Sequence, residues 1–410
     1  MIDTMQQEIE KRICASVRDN FDEQKNFLVR MVETPSVNGD GGKGNGQGEI
    51  EVARQIYKEL EEMGVKAKFL RLKKDRPNVL AMAGGNGRKS LILVGNMDTA
   101  RGCEVGAKLD AVIRGGRMYG VGVLDMKASL SAYVYALKAI IDAGYKLEGK
   151  LKLAFVVDGK GSFPSKIGLQ YLINKGLRAK AAILAKPGTD KIAIGHRGGY
   201  RFKITTTGES VNTGRRDWER KRRGRNAVLD MLKVCQVLSG FELPFKPAKA
   251  FPGRQPVFTF PTKIQGGDFL DTVPDKCEAW GDVRLMPGNT DKQVQLWIRN
   301  RLGRLPDVKW ELEDVLFVPS MEIERSEPVV QILATKTQNI AGKKPKIEGC
   351  GPWNDAWMLT SRDVPCIAGF GPDGGESEDS MNEYVDLESL RMVTEILSLT
   401  LGEYLGLSNS

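Results

Sequence analysis

The sequence predicts an α/β protein with a second, smaller α+β domain inserted into the first. Three observations carry this. The chain has 410 residues, too many for one core at roughly 150 residues per domain. Short apolar strands alternate with amphipathic helices over the first half and again from about Leu316, as expected of a sheet covered on both faces. Between those stretches the strands alternate apolar and polar residues with period two, the pattern of a sheet with one solvated face.

Taken in order, Phe21–Glu33 and Ile50–Met63 carry apolar residues at helical spacing, separated by Pro35 and the Gly-rich run Gly39–Gly48. Val65–Leu72 and Asn78–Ala83 read as strands, and Leu91–Val94 as a short buried strand ending at Gly95. A helix at Ser129–Ala143, a strand at Leu151–Val157, a helix at Ile167–Gly176 and a strand at Ala181–Leu184 continue the alternation. Tyr200–Thr207 and Glu278–Leu285 then alternate with period two, each accompanied by a helix, at Asn226–Ser239 and Asp291–Leu302. That order suggests β-α-β-β-α-β, the ferredoxin-like arrangement. A helix at Pro328–Ile340, a strand at Pro365–Phe370 and a closing helix at Leu387–Tyr404 resume the first pattern. The larger domain therefore spans residues 1–192 and 316–410, and the insertion 193–315.

Composition narrows the class: 41% hydrophobic, 28% charged and 7% aromatic residues describe an ordinary globular chain. No run approaches the ~18 apolar residues of a membrane helix. Met1–Arg30 is a charged helical pattern rather than a signal peptide. Cys14, Cys103, Cys235, Cys277, Cys350 and Cys366 form no CxxC pair, which points to a reducing, cytoplasmic location. The net charge of +9 is unevenly spread. Arg215–Arg225 holds seven basic residues around Trp218 against Asp217 and Glu219, a candidate surface for an acidic ligand or partner. No second basic stripe supports nucleic-acid binding. The chain has one histidine, which excludes multi-histidine zinc chemistry. That residue, His196, reads as a hinge or surface position.

Carboxylates recur at strand ends in a fixed order. They occur in Gly95-Asn96-Met97-Asp98-Thr99, in Gly120-Val121-Gly122-Val123-Leu124-Asp125-Met126-Lys127 and in Phe155-Val156-Val157-Asp158-Gly159-Lys160. Ala185-Lys186-Pro187, Gly266-Gly267, Val273-Pro274-Asp275, Asp282-Val283-Arg284 and Asn382-Glu383-Tyr384-Val385 follow. In this order the motifs resemble the M20 family of dinuclear-zinc peptidases and deacylases, over roughly Phe21 to Tyr404. The resemblance implies a zinc-peptidase-like α/β domain with an inserted lid, a homodimer formed through that lid, and a cis peptide at Asp125-Met126.

Carried over position by position, the resemblance places Asn96 where the family has a zinc-binding histidine and keeps the bridging aspartate as Asp125. Gly159 stands for the glutamate general base, Lys160 for the adjacent metal-binding glutamate, and Lys186 for the acid before proline. Asp379 replaces the last histidine, and Asn212 the lid histidine that reaches the neighbouring subunit. Asp98 and Asp158 are kept. Asn354 and Asp355 match a substrate-cleft segment, and Arg284 joins them as a ligand-binding candidate. Cys350 has no histidine partner and reads as structural.

Zinc takes about four deprotonated N, S or O ligands, and a protonated lysine is none of these. The sequence therefore predicts neither zinc nor any other cofactor, and no family-type hydrolysis. The expected protein is a metal-free pseudoenzyme that binds a small acidic or amino-acid-like ligand or a protein partner. The alternative is a metal-independent enzyme using Lys160 and Lys186 with Asp125 and Asp98, since paired lysines depress each other's pKa.

Overall fold

A computed structural model describes residues 2–38, 48–100, 110–161, 163–240, 243–245, 248–375 and 382–409. The chain divides into two compact units, residues 1–195 with 323–350 and 354–410, and residues 196–322 with 351–353.

The first unit is built on a mixed sheet whose strands run, side by side, Lys66–Lys73, Arg76–Gly84, Lys150–Val156, Ser90–Asn96, Ala181–Ala185, Cys366–Phe370 and Lys191–His196. The four central strands, from 150–156 to 366–370, are parallel. Their residues are almost all buried, which explains why they read as continuous apolar runs. Helix Ala128–Asp142 is buried along nearly its whole length, as is Leu387–Leu405. The expected helices and strands of this unit appear within a few residues of the sequence boundaries. In parallel sheets, ligand-binding groups collect at the carboxyl ends of the strands. Asn96, Asp158 with Lys160, and Lys186 sit at or just beyond three such ends.

His196 closes strand Lys191–His196 and is completely buried, so it is not a surface residue. It shares a strand face with Ile192 and Ile194, both buried, because side chains two apart point the same way.

The second unit is a four-stranded antiparallel sheet in the order Val257–Gly266, Lys276–Leu285, Gly198–Thr207, Trp310–Val318. Helices Ala227–Leu238 and Asp291–Leu302 cover one face, with Phe202, Ile204, Met231, Val234, Val283 and Ile298 in the core between them. Asn226 caps the first helix through the N–H groups of Val228 and Leu229, and Thr290 forms a capping box with Gln293 at the second. Strand Val257–Gly266 lies at an edge and is mostly exposed. It tolerates Pro261 there because an edge strand leaves half its backbone donors unused.

Candidate functional site

Asp125 lies in the turn Val123–Lys127 that enters helix Ala128–Asp142, and its peptide bond to Met126 is cis. Its carboxylate receives two ammonium groups. Lys160 Nζ donates to Oδ2 at 2.8 Å, and Lys186 Nζ donates to both oxygens at 3.1 Å. The Asp125 and Lys160 side chains are 14% and 13% exposed, whereas Lys186 keeps 34% of its surface open. Burial alone pushes the Asp125 carboxyl up. Lys186 and then Lys160 outweigh it and hold the group well below the usual carboxylate range. Among the described residues, Asp125, Lys160 and Lys186 bring one negative and two positive charges together.

Asp98, almost fully buried, orients the loop that delivers Lys160. Its carboxylate accepts the N–H of Gly159 at 2.9 Å, the N–H of Lys160 at 2.7 Å and Asn38 Nδ2 at 2.7 Å. Asp158 makes this possible by adopting a left-handed backbone, φ 67°, which turns two successive N–H groups onto one anion. Aspartate is among the few residues that tolerate that conformation. Asp98 therefore serves the backbone of the loop that carries Lys160.

Gly159 is required by packing. A Cβ at this position would lie 2.4 Å from the Cβ of Asn96 and 2.6 Å from its Cγ. Asn96 in turn donates from Nδ2 to the Asp98 carbonyl at 3.0 Å. Lys186 follows strand Ala181–Ala185, and its Cβ lies where a side chain at Gly369 would come within 2.9 Å. The glycine opposite makes room for the lysine.

Asp355 opens the short helix Ala356–Thr360. Burial pushes its carboxyl up to about 7, with Asp98 and Asp158 adding to the shift and the Ser165 N–H and Lys186 opposing it. Asn354 is committed to the chain: Nδ2 donates to the Ala368 carbonyl at 2.7 Å and Oδ1 accepts the Ala356 N–H at 3.0 Å. In the second unit, Asn212 donates to Asp271 at 3.0 Å and accepts the Gly214 N–H, while Arg284 pairs with Asp282 at 2.8 Å. The structure brings Lys160, Lys186 and Asp125 into contact, sets Asp98 and Asn96 beneath the Lys160 loop, and keeps Asn212 and Arg284 in separate polar contacts. Asp379 lies outside the described residues.

Sequence reasoning missed the groups that hold this arrangement. Glu383 is fully buried, and its carboxylate accepts the N–H groups of Gly122, Leu124 and Asp125 at 3.0, 2.7 and 2.9 Å. Strand Tyr384–Asp386 pairs with Arg117–Tyr119 and brings Glu383 to the turn. Lys127 is also buried and donates to the carbonyls of Met31 and Thr34 at 2.8 and 3.1 Å, satisfying the end of helix Phe21–Glu33. Arg76 links Glu49, at 2.9 Å, with Asp158, at 3.6 Å. Glu383 and Lys127 stand inside quoted motifs, so the signal was present without its meaning. Glu49 and Arg76 carry none.

The donor set does not fit a dinuclear zinc centre. Asp125 already holds two ammonium groups, and Lys160 and Lys186, which the resemblance matches to metal ligands, are cations that repel a dication. Among the described residues, no group of three His, Cys, Asp or Glu side chains stands close enough to hold an ion.

Residues 92–403 match Peptidase family M20/M25/M40. The chain is 24% identical to the N-formyl-4-amino-5-aminomethyl-2-methylpyrimidine deformylase of Bacillus subtilis, over 93% of this chain and 95% of that protein. It is 26% identical to the succinyl-diaminopimelate desuccinylase of Gluconacetobacter diazotrophicus, over 80% and 85%. Among solved structures, aminopeptidase PepT from Bacillus cereus shares the fold at a TM-score of 0.73 and 16% identity, over 94% of this chain and 99% of that one. The M20 metallo-carboxypeptidase Sso-CP2 from Sulfolobus solfataricus does so at 0.71 and 18%, over 92% and 99%. With three quarters of its length matched, this chain belongs to the M20 peptidase family.

Proposed function

We propose that this M20 protein works without metal and binds a small acidic or amino-acid-like ligand. The observation that carries this is the pair of ammonium groups on Asp125, both supplied from positions that the resemblance matches to the family's zinc ligands. Lys186 offers the more open of the two cations, suited to the carboxylate of a ligand by a charge-assisted hydrogen bond. The names of the two curated relatives describe removal of an acyl group from an amine, and this directs the search to acylated amines and amino acids. Without a side chain at 159, the chain lacks the family's base for activating water.

The alternative, amine chemistry at Lys160 or Lys186, is disfavoured by the same geometry. Both amines are engaged by one carboxylate at 2.8 to 3.1 Å, so an attacking nitrogen would first have to leave that hydrogen bond. The larger unit is proposed to be the ligand-binding one, and the inserted unit to carry a homodimer contact in a cytoplasmic protein. In that inserted unit, helix Ala227–Leu238 exposes Leu229 and Leu232, and edge strand Val257–Gly266 exposes Val257 and Ile264, an unpaired edge of the kind that pairs with another chain.

Two measurements test the reading. Elemental analysis of protein purified without chelator is expected to find no stoichiometric zinc, and near-stoichiometric zinc would overturn it. A thermal-shift screen of amino acids, acyl-amino acids and phosphorylated metabolites is expected to give a hit that Lys186→Met removes. A hit retained by that variant would place the ligand elsewhere.

A further inference from the structure

The larger unit carries a second concave site, lined by none of Asp125, Lys160 and Lys186. Helix Pro328–Ala341 buries Val329, Val330 and Leu333 and leaves Gln331, Thr335 and Gln338 exposed, at the i, i+4, i+7 spacing of one helix face. That face and strand Lys346–Cys350 line a cavity of about 510 Å³. Three cations reach it. Arg325 precedes the helix and is tied to the opposite wall, its Nη2 donating to the Ile347 carbonyl at 2.7 Å. Gln331 in turn donates to the Arg325 carbonyl at 2.7 Å. Lys344 and Lys346 come from the strand side, and Pro345 between them restricts the backbone that presents them. All three cations are exposed and form no ion pair among the described residues. The one carboxylate lining the cavity, Glu348, is already engaged by Lys191 at 2.8 Å. Glu324 and Glu327, beside Arg325 in sequence, do not line it. Burial and then the Glu327 carboxylate push the Tyr404 phenol up, so that acid stands toward helix Leu387–Leu405.

We infer that this cavity binds a small phosphate monoester, its phosphate on Arg325, Lys344 and Lys346 and its organic part against Ala334, Pro345 and Ile347. A guanidinium offers a planar fork of donors that matches phosphate oxygens, and two ammonium groups add charge without demanding one geometry. Three unpaired cations favour a dianion over the single charge of a carboxylate. The volume lies in the range of small-molecule sites. A nucleic acid would need cations continued along a stripe, whereas these three share one hollow. The apolar lining residues give an ester a contact that inorganic phosphate lacks. The site is independent of the reading of the Asp125 cluster.

The test is isothermal titration of the full chain with phenyl phosphate, with inorganic phosphate and with sodium chloride at matched ionic strength. Phenyl phosphate is expected to bind saturably, roughly threefold or more tighter than inorganic phosphate, and chloride not at all. Lys344→Gln with Lys346→Gln removes two exposed side chains that hold no ion pair, and is expected to weaken binding about tenfold or more with unchanged melting temperature. Arg325→Gln is expected to weaken it by a similar factor, and Lys186→Met to leave it unchanged. Absence of saturable binding, equal affinity for the two phosphates, or full binding by either cavity variant overturns the proposal. Loss of binding in Lys186→Met also overturns it, by moving the phosphate to the Asp125 cluster.

Discussion

Asp125 and the two lysines do not contribute symmetrically, and this makes the cluster testable residue by residue. Removing Lys186 leaves Asp125 its hydrogen bond from Lys160. Replacing Asp125 by Asn takes the shared carboxylate away from both ammonium groups. Breaking a buried pair from one side costs about 3–5 kcal/mol, and Asp125→Asn is expected to approach that range in urea unfolding, with Lys186→Met well below it. The sign with pH follows from the depressed carboxyl. Its contribution is complete above the unfolded value of about 4 and is lost as pH falls below it, so acid unfolding of the parent should exceed that of Asp125→Asn relative to neutral pH. Asp355 works the other way. Its folded pKa of about 7 means the native state binds the extra proton between about pH 4 and 7, and stability falls as pH rises through that window. Asp355→Asn is expected to flatten this slope and to melt higher than the parent at pH 8. The lysine positions were legible in the sequence because each sits in a motif. The roles of Asp98 and Asn354 were not, because a side chain that serves the backbone looks the same in sequence as one that serves a ligand.

At the scale of elements, the turn Val123–Lys127 depends on one residue more than 250 positions away. Glu383→Ala would strand three backbone donors, each costing about 1–3 kcal/mol when buried and unsatisfied. The expected loss is at least ~3 kcal/mol in urea unfolding. Glu383→Gln keeps an acceptor and should lose less, while raising the reactivity of Lys160 and Lys186 toward an amine-modifying reagent as Asp125 loosens. An unchanged labelling rate would show that Asp125 is held without it. The central strands were readable because burial on both faces makes them uniformly apolar. Val257–Gly266 and Trp310–Val318 were not assigned from sequence, because an edge strand keeps much of its surface in water and its pattern fades. The burial of His196 is illegible for a related reason: Lys191–His196 is buried on both faces after its first residue, and a polar residue at its end looks the same in sequence as an exposed one.

For the whole molecule, the change of period along the chain marks where one kind of sheet gives way to another, because the period reports how many faces of a sheet are wet. Self-association leaves a weaker trace, since exposed apolar residues occur on any surface. Leu232→Glu with Ile264→Lys, both exposed, is expected to convert a dimer to monomer in sedimentation equilibrium without lowering the melting temperature of the monomer. A parent that is monomeric at micromolar concentration would refute the contact. The pair of lysines on Asp125 has a further consequence for the cell. A bound ion is on loan from its surroundings and departs when supply falls or a stronger chelator appears. An amine on the polypeptide is present at fixed stoichiometry from the moment the chain folds. On the proposed metal-free reading, the positive charge facing Asp125 is inherited with the gene and is indifferent to scarcity, so a ligand that relied on it would meet the same binding partner in metal-starved and metal-replete conditions.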